Sequence, residues 1–143
     1  MKIAIACDHG GYQLKEEVKA YLQEREIEVL DLGTNSEASV DYPEYVFKCG
    51  EAVASGQADR GIVVCGTGIG ISMAANKVKG VRCSLCTDVT MAQLTRKHND
   101  SNVLALGGRT TGVVTALDIV AAWLDTEFEG GRHQRRVDLL NNY

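Results

Sequence analysis

Five short apolar runs, at residues 2–7, 28–32, 61–65, 81–86 and 102–106, alternate along the chain with stretches of helical spacing. Between residues 13 and 25, Leu14, Val18 and Leu22 recur every fourth position, with Lys15, Glu16, Glu17 and Lys19 on the remaining faces, which is the pattern of an amphipathic helix. Residues 43–55 carry Val46, Cys49, Val53 and Ala54, and residues 88–97 carry Met91 and Leu94. Residues 111–124 repeat Val113, Leu117, Val120 and Leu124, and 69–77 is short and alanine-rich. Strands that alternate with helices join through right-handed crossovers, so this order predicts a parallel sheet of five strands covered on both faces.

The expected architecture is α/β: a single domain over residues 1–143, a Rossmann-like three-layer sandwich with a C-terminal helical extension. The single proline, Pro43, and the lack of low-complexity sequence argue against an internal linker. In such sheets ligands bind beyond the carboxyl ends of the strands. Strand one ends at Cys7-Asp8-His9-Gly10-Gly11, strand three at Cys65, and strand five at Gly107-Gly108-Arg109, which places all three segments on one rim. His98-Asn99-Asp100 follows the fourth helix and falls at the opposite rim by the same logic.

The segment with most chemistry is Cys65-Gly66-Thr67-Gly68-Ile69-Gly70-Ile71-Ser72, a thiol and alternate glycines between a strand and a helix. Glycines let backbone amides approach a ligand, and a helix N-terminus favours an anion and the ionised form of a thiol. A dinucleotide site is one alternative, with Asp88 at a suitable distance, but the glycine spacing is compressed and follows the third strand. A plain tight turn is another. A cysteine phosphatase would need an arginine six residues after the thiol, where Ile71 stands. Cys83 and Cys86 have C-x-x-C spacing, yet within a strand they face opposite sides, so both read as core residues, as do Cys7 and Cys49. Asp8 has an alternative use as a cap for the following helix, and His98 as a favourable residue at a helix C-terminus.

A net charge of −4 gives no reason to expect nucleic-acid binding. The exception is the basic run Arg132-His133-Gln134-Arg135-Arg136, in which a helix would set Arg132 and Arg136 on one face, suited to one small phosphate, or else to a solvated tail. Five cysteines, an odd number, do not suggest a disulfide framework, and no run approaches transmembrane length. The apolar run before Asp8 is too short for a signal-peptide core. The expectation is a cytoplasmic protein with neither nucleic-acid nor membrane partners.

Taken with Asp41-Tyr42-Pro43 and Glu129-Gly130-Gly131-Arg132, these motifs resemble the type B ribose-5-phosphate isomerases, in the same order and over essentially the whole chain. That wider family also contains galactose-6-phosphate isomerase subunits and enzymes acting on allose 6-phosphate. The resemblance implies a metal-independent, cofactor-free interconversion of ribose 5-phosphate and ribulose 5-phosphate within pentose phosphate metabolism. It implies Cys65 as the base, His98 in ring opening with Asp8 as partner, Thr67 as an orienting hydroxyl and Asn99 on sugar hydroxyls. The loop Gly66, Thr67, Gly68, Ile69 and Gly70 would cradle the enediolate, and His9, Arg109, Arg132 and Arg136 would hold the phosphate. It further implies a homodimer or tetramer whose sites are shared between subunits, which would let His98, Asn99 and Arg109 serve a neighbour. A hexose-6-phosphate isomerase and a non-catalytic nucleotide-binding module are the alternatives.

Overall fold

The strand residues sort into two kinds by parity, and the sorting builds both cores. In the computed structural model, which describes residues 1–143, β1 (Lys2–Cys7), β2 (Glu28–Asp31), β3 (Arg60–Cys65), β4 (Cys83–Leu85) and β5 (Val103–Gly107) form one sheet, all parallel, in the order β2-β1-β3-β5-β4. On one face Ile3, Ile5, Ile62, Val64, Leu104 and Leu106 meet the helices α1 (Tyr12–Glu24), α4 (Val89–Asn99) and α5 (Val113–Asp125). On the other, the smaller Ala4, Ala6, Val63, Cys65 and Ala105 meet α2 (Tyr42–Ala54) and α3 (Ile69–Ala75). The small residues draw α2 close: a Cβ added at Gly61 would sit 2.9 Å from Cys49 Sγ and 3.1 Å from Val53. The three-layer α/β expectation therefore holds, and so does the C-terminal extension, α6 (Arg132–Asn141).

Because α1 leaves β1 over one face and α2 returns to β3 over the other, the chain changes sides between β1 and β3. This is where a parallel sheet opens a crevice at its carboxyl ends. Gly130 and Gly131 both take positive φ, +66° and +54°, and turn the chain so that α6 packs on α4. Only Val137 of α6 is buried.

Three details depart from the sequence expectation. The fourth strand was expected over residues 81–86 but spans only Cys83–Leu85, since it is an edge strand and the chain is still turning after Gly80 (φ +91°). The last large helix begins at Val113, because Thr111 N–H is held by Gly107 O at 3.0 Å in the preceding turn. Lys15, expected on a solvated face, is fully buried, with Nζ 3.0 Å from both Asp31 carboxylate oxygens and 2.7 Å from Thr34 O. Those contacts fix the Gly33–Thr34 segment beside β1, where Cys7 N–H donates to Gly33 O and Thr34 N–H to Cys7 O.

Candidate active site

Strand register places Cys7 opposite Val64 and Cys65 opposite Gly107, so Asp8, Cys65 and Gly107 stand side by side at three adjacent strand ends. Neighbouring strands lie about 4.8 Å apart, which brings the Asp8 and Cys65 backbones to that spacing. Asp8 is nearly buried and its Oδ1 accepts the N–H groups of Gly10 at 2.8 Å and Gly11 at 3.2 Å. The carboxylate thus caps the short turn His9–Gly11 and is held in one orientation.

Cys65 Sγ accepts the Gly68 N–H at 3.1 Å. A donor aimed at sulfur stabilises negative charge there. Gly68 is confined to this turn by its φ of +78° and by crowding, since a Cβ would lie 2.5 Å from Leu85 Cδ1 and 3.0 Å from Leu106 C. Thr67 is exposed at the loop tip, with Oγ1 accepting Ile69 N–H at 3.2 Å. Ile69 is itself exposed, and Gly70 faces Tyr42, whose hydroxyl a Cβ on Gly70 would approach to 2.9 Å. Tyr42 had no assigned place in the site, and the glycine opposite it was the one signal that something close must pack there.

Withdrawal from water pushes Cys7, Cys49 and Cys86 each up to about 12, and Cys83 upward as well. Cys83 and Cys86 lie against opposite cores, as period-two geometry requires.

Arg109 belongs to this rim. Gly108 N–H donates to Cys65 O at 2.7 Å and Arg109 N–H to Gly66 O at 2.8 Å, which carries the guanidinium over the loop, 3.5 Å from where a Gly66 Cβ would be. These backbone bonds set Arg109 at the rim of its own chain, beside Cys65. His9, Gly10, Gln13, Leu14, Glu37, Gly108 and Arg109 line an adjoining cavity of about 310 Å³. His9 Nδ1 accepts Val40 N–H at 3.2 Å, so its ring proton sits on Nε2, a donor for an anion.

His98, Asn99, Arg132 and Arg136 lie elsewhere. Helix α4 starts beside the carboxyl end of β4 and descends to Asn99, whose carbonyl accepts Arg82 Nε–H at 3.2 Å just before β4 begins. His98 stacks on His133, with ring centroids 4.5 Å apart. Glu129 Oε1 is 3.7 Å from His98 Nε2 and 3.6 Å from His133 Nε2. Partial desolvation and the nearby His98 and Arg132 hold His133 below the usual imidazole range. Arg132 and Arg136 project from the exposed side of α6. Within one chain, then, the thiol, Asp8, His9, the glycine loop and Arg109 converge, and the remaining four residues gather at the far rim. Asp88, the acidic residue a dinucleotide site would need, instead caps α4 by accepting Met91 N–H at 2.7 Å.

The Ribose/Galactose Isomerase family model matches residues 3–140. The chain belongs to that family. Ribose-5-phosphate isomerase B of Escherichia coli is 52% identical over 139 residues, which cover 97% of this chain and 93% of the relative. The solved structure of Clostridium thermocellum ribose-5-phosphate isomerase B superposes with a TM-score of 0.98 at 56% identity, covering 99% of this chain and 96% of that one. The Mycoplasma genitalium enzyme with bound ribulose-5-phosphate gives a TM-score of 0.95 at 42% identity, covering 99% and 95%. Likeness of this extent places the family member among the type B ribose-5-phosphate isomerases, and it is an isomerase enzyme. No helix is long and apolar enough to cross a membrane.

Proposed function

We propose that this family member interconverts ribose 5-phosphate and ribulose 5-phosphate through an enediolate, with Cys65 as the base and no cofactor. The observation that carries the reading is the Gly68 N–H aimed at Cys65 Sγ, 3.1 Å away, beside the oriented carboxylate of Asp8. A thiolate there takes the proton from C2 of the open-chain aldose. The C–H electron pair becomes the C1–C2 double bond, and the carbonyl oxygen takes the charge. Amides of Gly66–Gly70 supply donors to that oxygen, and the Thr67 hydroxyl orients it. Passage of the O2 hydroxyl proton to O1, with return of the abstracted proton to C1, gives the ketose. His9 and Arg109 form the phosphate end of the same crevice.

Ring opening needs an acid near the ring oxygen, and in this reading it is His98 of the partner subunit, assisted by Asp8. Asn99, Arg132 and Arg136 arrive with it to hold sugar hydroxyls and phosphate. Unsatisfied apolar surface supports an assembly: Val114 is 77% exposed, Met73 64%, Leu139 63% and Leu140 61%. A broad groove along the β4 edge is bordered by Leu140 of α6 and by Tyr143 beyond its end. Such a surface is what a homodimer would cover.

Two outcomes follow. Arg136→Ala is expected to raise KM about tenfold with a smaller change in kcat, the loss of one charge-assisted phosphate contact; an unchanged KM removes Arg136 from the site. Cys65→Ala and His98→Asn subunits, each inactive alone, are expected to regain about a quarter of wild-type turnover when mixed and allowed to exchange, since half of the dimers then carry one intact site. Persistent inactivity after verified exchange would mean each site is built within one chain. The deciding assay for the function itself is turnover of ribose 5-phosphate by chelator-treated enzyme, run beside allose 6-phosphate and galactose 6-phosphate; faster hexose turnover would reassign the substrate.

A further inference from the structure

Away from the crevice at β1 and β3, one group of side chains has the make-up of a metal site. The ligand atoms of His98, Glu129 and His133 all lie within 4.8 Å of one another. Both imidazole Nε2 atoms approach the same Glu129 oxygen, at 3.7 and 3.6 Å. Two ligands on a tetrahedral zinc, each about 2.0–2.1 Å from the metal, stand roughly 3.4 Å apart, so the two imidazole–carboxylate distances need contract by only a few tenths of an ångström, and the larger closure is left to the two imidazoles. We propose that His98, Glu129 and His133 bind a first-row divalent cation such as zinc, with water in the fourth position.

The backbone prepares the arrangement. Glu129 N–H donates to Lys97 O at 3.1 Å, which ties the segment to the end of α4, and the Gly130–Gly131 turn then starts α6 so that His133 comes back over Glu129. The rings are stacked at 19°, so their lone pairs run nearly parallel, whereas a metal lies in the plane of each imidazole it joins. One ring must swing about its Cβ–Cγ bond. His98 is free to do so, its side chain 42% exposed against 13% for His133. Two imidazoles and one carboxylate suit zinc, cobalt, nickel or copper rather than calcium or magnesium, which prefer all-oxygen shells. Arg132 and Arg136 on the same helix oppose a dication, so the site is a reversible one rather than a permanent structural centre. Occupancy would withdraw His98 from ring opening; that consequence, unlike the binding itself, rests on the role proposed for His98 above.

The test is spectroscopic. Chelator-stripped full-length protein is titrated with cobalt(II), whose visible bands report coordination whatever the enzymatic activity. Expected are bands that saturate at one cobalt per chain, are displaced by zinc, show no near-ultraviolet thiolate transition, and are lost in both Glu129→Gln and His133→Asn. Absence of saturable bands, their survival in either variant, or a thiolate transition pointing to the cysteines would overturn the site. Glu129 is exposed, so Glu129→Gln keeps the test decisive if His133→Asn disturbs α6. Bands as expected, with ribose 5-phosphate turnover unaffected by bound zinc, would leave the metal site standing and count against His98 in ring opening.

Discussion

Cys65→Ala is expected to reduce isomerisation by about 10²–10⁴-fold, the usual contribution of a positioned acid–base group, and to leave the fold and phosphate binding intact. The side chain is small and only 6% exposed, so truncation removes one sulfur atom at the end of β3 and takes the acceptor from the buried Gly68 N–H. The destabilisation should be about 1–3 kcal/mol. Cys65→Ser separates chemistry from packing. It keeps an acceptor for Gly68 N–H, yet an alcohol is far too weak an acid to serve as an ionised base near neutral pH, so it should be nearly as inactive as the alanine variant. Steady-state turnover of ribose 5-phosphate, with circular dichroism as the folding check, decides the matter. If Cys65→Ser retained turnover within about tenfold of wild type while folded, proton transfer would have to belong to Asp8 or another group, outside the usual range for loss of the base.

The thiol was legible because its position follows from the order of elements. A chain of alternating strands and helices has one ligand-binding rim, and the parity of each strand decides which residues at its end face the same side. Asp8, Cys65 and Gly107 share a face for that reason. Strand order was not legible: β5 inserts between β3 and β4, and nothing in the local apolar pattern distinguishes that from sequential addition. Lys15 was misjudged because helical spacing alone marks it as solvated, while the carboxylate that holds it, Asp31, comes from the end of another strand. Arg109 was legible as a rim residue from its strand end, and the backbone bonds from Gly108 and Arg109 place it there within the chain. The His98–Glu129–His133 group depends on how α6 folds back on α4, a tertiary contact that spacing does not encode.

Lys15→Met is expected to cost about 3 kcal/mol, at the lower end of the range for removing one partner of a buried ion pair. Methionine matches the lysine stem in volume, so the loss is electrostatic rather than a cavity. The lower end applies because Asp31 keeps Lys19 at 3.0 Å and the Gly33 N–H at 2.9 Å, and its side chain is 16% exposed. Thr34 O also loses its 2.7 Å contact inside the protein. Against a typical domain stability of about 5–15 kcal/mol, that is a large fraction. Activity should fall too, since Gly33 and Thr34 are bonded to Cys7 and so set the exit of β1 toward Asp8. Urea denaturation gives the size of the effect, and Lys15→Met combined with Asp31→Asn gives its origin: with the stranded carboxylate neutralised, much of the loss should return. Acid titration supplies an independent sign. Burial by itself would raise the Asp31 carboxyl, but the Gly33 N–H and the ammonium groups of Lys15 and Lys19 outweigh it and hold it below the usual carboxylate range. Its stabilising contribution is therefore present above an unfolded value of about 3.9 and is lost as pH falls through the lower folded value. Without Lys15 the folded value rises, the carboxylate protonates sooner, and the onset of acid unfolding moves to higher pH. An unshifted acid limb with an equally destabilised protein would mean that Lys15 acts through packing and not through Asp31.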